Sequence, residues 1–275
     1  MKVSIFHNQE EQSFKAAKKL KELLLRFSFV LDEKKPDVVL SVGGDGTLLS
    51  AFHKYEKQLD KVQFVGIHIG HLGFYTDWRE FEMEELVRTL NEKSACSVSY
   101  PLLDVVVEYE EGLKHFLALN ESTVRRVSKT LVGDVYISDE FFESFRGDGL
   151  SVSTPTGSTA HNKSIGGAVI HPSVNAIQMT EIASLNNRLF RTLGSPIVIG
   201  AHEWIRIQLA PSDDYTITVD REMVASKKVQ AVDFKIAKER IHFVSYRHLH
   251  FWNRVKESFI TGQNSNHAFD VDIWV

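Results

Sequence analysis

The chain has 275 residues, 43% apolar and 25% charged, and neither a disordered chain nor a disulfide scaffold nor a long apolar membrane span fits that composition. The 32 Lys+Arg against 36 Asp+Glu leave a net charge of −4, which argues against a global basic field for nucleic acid. The single cysteine, Cys96, cannot form an internal disulfide and suits a reducing compartment.

At roughly 100 to 200 residues per domain, the length suggests two domains with ample core. The start, "MKVSIFHNQEE", has neither a signal-peptide pattern nor a lipidation motif. A soluble cytoplasmic protein is expected, with no membrane or nucleic acid among its partners.

In chain order, "VSIFH", an amphipathic lysine-rich stretch near 11 to 26, "DVVLSV", a segment after Thr47, "QFVGIHIG" and "EFEMEELVRTLNEK" alternate strand-like and helix-like patterns. Such alternation marks βαβ units and a parallel sheet, and residues 1–99 are read as an α/β domain. From Pro101 the texture becomes short β-rich runs between turn residues: "LLDVVVEYEEG", "KHFLALNES", "TLVGDVYIS", "EWIRIQLAP", "YTITVD", "AVDFKIA" and "IHFVSY". Residues 100–248 are read as a β-rich, sandwich-like domain. Two stretches inside it, "STAHNKSIGGAVIHP" and "VNAIQMTEIASLNNRLFR", are expected as helices or helix starts. Within 249–275, Leu249, Phe251, Trp252, Val255 and Phe259 recur at spacings near three to four, so a helix docking back on the first domain is expected, followed by a loose tail.

Candidate chemistry begins at "GGDGT", residues 43 to 47. It is neither a Walker A loop nor G-x-G-x-x-G, yet it puts glycine amides and a helix start beside Asp45. The alternative is a tight turn in which Asp45 caps the helix. Next, Asn120 and Glu121 place an amide beside a carboxylate, a pair able to read a purine edge and ribose hydroxyls, or else an exposed turn. Between 145 and 172, Arg146 and Asp148 flank glycines, and Thr156, Gly157, Ser158, Thr159 and Ala160 crowd small hydroxyl residues where a ligand can approach closely. Asp220 and Arg221 pair with each other or face solvent. No metal motif emerges: His68 and His71 lack a ligand pattern and Cys96 lacks a partner, so no protein-held metal is expected.

Together, "GGDGT", "GHLGF" at 70 to 74, "LNES" at 119 to 122, "GDGL" at 147 to 150 and "TPTGSTA" at 154 to 160, in that order, resemble the compact bacterial NAD kinases. The glycine loop alone is shared with phosphofructokinases and lipid kinases. The resemblance implies the two-domain NAD kinase architecture and phosphoryl transfer from ATP, or polyphosphate in some members, to the adenosine ribose 2′-hydroxyl of NAD, giving NADP.

It further implies that Asp45 faces that hydroxyl while Gly44, Gly46 and Mg²⁺ manage the donor phosphates. Asn120 contacts adenine and Glu121 the nicotinamide-side ribose; Arg146 approaches the pyrophosphate and Asp148 the nicotinamide end. Phe74 and Tyr75 wall the adenine pocket, which Ser158, Thr159 and Ala160 complete, with Ser164 nearer the nicotinamide and Ala183 also lining it. A homodimer or homotetramer is implied, with a neighbouring subunit lending parts of the site. Two positions depart from the pattern: His161 stands where tyrosine is usual, and Arg221 where close relatives have histidine. A lipid kinase sharing the glycine loop, or an NAD(P)-binding sensor without turnover, are the alternatives.

Overall fold

The computed structural model describes residues 1–261 apart from 71–72, 93–96, 127, 211, 213, 225–227 and 245–250. His71, Cys96, Leu249 and the tail from 262 onward lie outside the described residues.

Strands and helices alternate first: β1 (Lys2–His7), α1 (Glu11–Arg26), β2 (Val30–Leu31), β3 (Val38–Val42), α2 (Asp45–Tyr55), β4 (Gln63–His68), β5 (Trp78–Arg79) and α3 (Met83–Asn91). All five residues of β3 are buried, as a parallel strand covered on both faces requires. Alternation sorts them by face. Val38, Leu40 and Val42 pack with Leu20, Leu24, Leu86 and Val87 of α1 and α3, whereas Val39 packs with Leu48 and Phe52 of α2. In α1, Ala16, Ala17, Leu20, Leu23 and Leu24 turn inward and leave the lysines outside. β1 lies between β2 and β3, and β4 continues the sheet, all parallel. The carboxyl ends of β3 and β4 therefore reach the same edge, where open α/β sheets bind ligands.

The rest is β-rich: β6 (Ser97–Tyr109), β7 (Gly112–Ala118), β8 (Glu121–Arg126), β9 (Leu131–Ile137), β10 (Glu140–Gly147), β11 (Gly149–Ser153), a 3₁₀ turn (Thr156–Thr159), one-turn α4 (His161–Ser164), β12 (Ala176–Ile182), β13 (Ile197–Gly200), β14 (Ile205–Leu209), β15 (Tyr215–Val219), β16 (Glu222–Val224), β17 (Val229–Val244) and finally α5 (Phe251–Phe259). Antiparallel β13-β12-β11-β8-β15-β16 form one sheet. It shares a core with the other, through Val124, Val152, Ile177 and Ile217 against Val135, Ile207, Val232 and Phe234. This is the expected sandwich-like half.

Two readings are corrected. "VNAIQMTEIASLNNRLFR" is not helical: β12 occupies Ala176–Ile182, paired with β11 and β13. Ile177 and Met179 face the core, while Gln178 and Thr180 are also buried, bonded to Ala168 and Asn162. With both faces covered, the period of two is hidden in the apolar pattern. Likewise "AVDFKIA" and residues 241–244 of "IHFVSY" belong to one strand, β17, whose pairing with β6 shifts register between Ile236 and Arg240. That strand also pairs β14 and, at Phe243, meets Phe64 of β4, so one sheet runs through both halves.

Candidate functional site

The chain leaves β3 through Gly43 and Gly44, and α2 begins at Asp45 with Gly44 in the N-cap position. No side chain caps this helix, so Asp45 is not the cap. Its carboxylate turns to the loop after β4 and accepts two backbone N–H groups, from Phe74 at 2.7 Å and Tyr75 at 3.0 Å. The loop comes this close because residue 73 is glycine; a Cβ there would collide with the carboxylate. Burial pushes the Asp45 pKa above the ordinary carboxylate value, opposed by the two amides, Arg254 and His68. His68 itself is buried, bonded to the Gly70 carbonyl region at 3.2 Å, and desolvation lowers its pKa.

Tyr75 carries the network into the second half. Its ring stacks on Phe243 with centroids 6.0 Å apart, and its hydroxyl donates to Asn120 Oδ1 at 2.5 Å. Complete desolvation holds that phenol neutral, with a pKa well above its usual value. The Asn120 backbone is pressed against Gly157, where a Cβ would overlap the Asn120 carbonyl. Thr154 closes the other side, its N–H and hydroxyl both donating to that carbonyl.

The residues before β8 are held by Asp220. Its fully buried carboxylate accepts the N–H groups of Leu119 (3.0 Å), Asn120 (2.7 Å) and Glu121 (3.2 Å), and it also meets His53 Nε2 of α2 at 2.9 Å. Asp220 thus pairs neither with Arg221 nor with solvent, contrary to the sequence reading. Its φ of 51° lies in the left-handed region, where aspartate is favoured among non-glycine residues, a signal that position alone did not convey. Arg221 instead lies over Gly46, close enough that a Cβ there would strike the guanidinium.

Glu121, Asp148, His161 and Asp220 line an open cavity of about 900 Å³, together with Arg125, Arg126 and Lys129. Glu121 is only 8% exposed, and among the described residues its Oε2 has no hydrogen-bond partner. Burial, and secondarily Asp220, raises its pKa to about 8. A buried carboxyl without donors is costly, and any group that brings a hydrogen-bond donor to it lowers that cost. His161 is half-buried, contacts Ser164 Oγ at 3.3 Å, and has a pKa lowered by burial and by Arg125.

Other sequence candidates have different surroundings. The Ser158 hydroxyl is buried and spent on Ile170, donating to its carbonyl and accepting its N–H. Thr159 is buried and bonds the Thr156 carbonyl, with Ala160 half-buried beside it. Arg146 stacks on Phe190, 3.8 Å from the ring centroid, and Ala183 is exposed with φ 48°; neither lines the cavity. Phe74 is covered by α5, its ring 5.7 Å from that of Phe259, over which Lys163 is placed at 4.2 Å. The sequence reading missed His53 and Arg254, which look like ordinary polar positions on amphipathic helices.

An aspartate at a helix start, hydrogen-bonded through one loop to Asn120, next to a buried carboxyl on an open cavity, brings residues from both halves of the chain into one candidate site. Family comparison gives this site its identity. The model of the ATP-NAD kinase N-terminal domain matches residues 4–95, and that of the ATP-NAD kinase C-terminal domain matches 119–246. An NAD kinase from Enterococcus faecalis is 60% identical over 262 residues, covering 94% of this chain and 99% of that protein. One from Lacticaseibacillus paracasei is 58% identical, covering 94% and 98%. The chain belongs to the NAD kinase family. A crystal structure of yeast NADH kinase complexed with NADH superposes with a TM-score of 0.81 at 19% identity, covering 98% of this chain and 90% of that one. An Archaeoglobus fulgidus NAD kinase in complex with ATP gives 0.74 at 20%, covering 94% and 98%. At such identities these two bear on the fold alone. The lipid-kinase alternative gives way to this assignment.

Proposed function

We propose that the chain phosphorylates the 2′-hydroxyl of the adenosine ribose of NAD, giving NADP, with ATP or polyphosphate as donor. One observation supports this above the others: the Asp45 carboxylate, pinned by two main-chain amides, is joined through Tyr75 to Asn120, the chain neighbour of Glu121. In this reading Asn120, whose Oδ1 is taken by Tyr75, offers its Nδ2 to adenine, between Phe74, Thr159 and Ala160. Glu121 accepts hydroxyl protons from the second ribose, with Asp148, His161 and Ser164 toward the nicotinamide.

The 2′-oxygen forms a bond to the terminal phosphorus, and the bond from that phosphorus to its bridging oxygen breaks, releasing ADP from ATP or a polyphosphate shortened by one unit. The hydroxyl proton passes to Asp45. In a loose transition state that proton leaves late, so Asp45 orients the hydroxyl as much as it accepts from it. Gly44, Gly46 and Arg221 meet the donor phosphates at the start of α2. The divalent ion is assigned to the donor complex, MgATP, held mainly by phosphate oxygens.

Arg146 and Ala183, away from the cavity of their own chain, fit a site completed by a neighbouring subunit in a homodimer or homotetramer. The protein is assigned to the cytoplasm, and no described helix is long and apolar enough to cross a membrane.

The test is incubation with NAD, ATP and Mg²⁺, reading NADP through an NADP-specific dehydrogenase. Asp45→Asn is expected to lose on the order of a hundredfold or more in kcat, as removal of a positioned proton acceptor does, while NAD binding persists. NAD binding without any ATP-dependent product in the wild type would sink the kinase reading and leave the sensor.

A further inference from the structure

Two consecutive peptide units, 73–74 and 74–75, lie between opposite charges. Their N–H groups, those of Phe74 and Tyr75, donate to Asp45. Their carbonyls, those of Gly73 and Phe74, accept from a single nitrogen, Nη1 of Arg254, at 3.2 and 2.8 Å. A trans peptide points its N–H and C=O in opposite directions, so each unit carries a cation on its oxygen and a carboxylate on its hydrogen. Hydrogen bonds in such a chain polarise and strengthen one another. Arg254 belongs to α5, is 3% exposed, and also pairs with Asp77. Burial lowers its pKa to about 10, which leaves it charged at neutral pH.

We propose that Arg254 is a positioning residue of the phosphoryl-transfer site, acting through peptides 73–74 and 74–75 to fix the Asp45 carboxylate and to supply the positive field behind it. This rests on the reading of Asp45 as the group that meets the acceptor hydroxyl. Three features make it more than an anchor for the C-terminal helix. The guanidinium touches the backbone of the loop that holds Asp45. It contacts both of the peptides that reach the carboxylate. It also opposes the effect of burial on Asp45, the direction needed to keep an acceptor ionised. The other charged groups around this pair are His68 at the end of β4, Asp77 before β5, Arg221 over Gly46, and Glu257 in α5.

The decisive experiment is the pH dependence of kcat/KM for NADP formation in wild type, Arg254→Gln and Arg254→Lys. In Arg254→Gln the acid limb moves to higher pH, because Asp45 loses an opposing charge and ionises later. Its kcat falls on the order of tenfold or more, as small misplacements of reacting groups do, while KM for NAD changes far less. Lysine keeps the charge but not the planar fork, so it restores the limb more fully than the rate. An acid limb left in its wild-type place, with all rates scaled down alike, makes Arg254 a structural anchor and overturns the proposal.

A readout without turnover covers the case in which Arg254→Gln does not fold. In substrate-free wild type, NMR titration should give the amide signals of Phe74 and Tyr75 and the guanidinium signal of Arg254 one shared midpoint, absent in Asp45→Asn. A guanidinium signal indifferent to that titration also overturns the proposal. Unimpaired turnover by Asp45→Asn would remove Asp45 from the chemistry while leaving the titration intact, which separates failure of that reading from failure of this one.

Discussion

Glu121 shows how a single residue can be poorly placed for folding and well placed for binding. Its folded pKa of about 8 lies above its unfolded value of 4.5, so between these pH values the folded chain holds a proton that the unfolded chain has released. Stability then falls as pH rises through that window, by at most about 1.4 kcal/mol per pH unit. Urea unfolding of the ligand-free protein at pH 5.5, 7 and 8 should show this slope, and Glu121→Gln should flatten it. An unchanged slope in the variant would mean that Glu121 titrates normally. What was legible is proximity: the motifs single out Asp45 and Asn120, which the fold joins through Tyr75, with Glu121 beside them. The motifs also single out Arg146 and Ser158, whose contacts are an aromatic ring and the Ile170 backbone. A sequence shows which side chain is present, but not which face of the backbone it leaves by.

At the scale of elements, the His53–Asp220 contact ties α2, the helix that starts with Asp45, to the backbone that presents Asn120 and Glu121. Burial, the largest single effect, lowers the His53 pKa, but the bond to Asp220, the charge of Asp220, Glu56 and Glu222 together outweigh it, and the net shift is upward. The charged clamp contributes fully below the unfolded histidine pKa and is lost as pH rises through the higher folded value. His53→Gln, which retains a donor but no charge, should therefore cost about 1–3 kcal/mol at pH 6 and less at pH 8.5, measured by denaturant titration. An equal cost at both pH values would show that charge plays no part. Elements were legible where one face was buried, as in α1, and misread where both were. β12 is the example: glutamine and threonine on its second face are satisfied by Ala168 and Asn162 rather than by water.

For the whole molecule, the change of texture near residue 100 is plain in the sequence, but the joining of the two halves is not. β17 pairs with β6, β14 and β4, partners far away along the chain, and local patterning carries no trace of such pairings. One core cluster likewise combines Leu48, Phe52 and Phe64 with Leu102, Leu119, Ile241 and Phe243. Halves that share a strand and a core should unfold together. Calorimetry is expected to give a single transition, displaced upward as one peak by saturating NAD. Two separable peaks, only one of them moved by NAD, would show that the shared strand does not couple the halves.

The two amides that hold Asp45 belong to the main chain, and every residue type except proline supplies one. The side chain at 74 can therefore change without altering the donors that hold the carboxylate, whereas that of Tyr75, stacked on Phe243 and bonded to Asn120, is tied to the core. Any residue but proline at 74 leaves the donor in place; proline removes it, and with it half of the main-chain grip on Asp45.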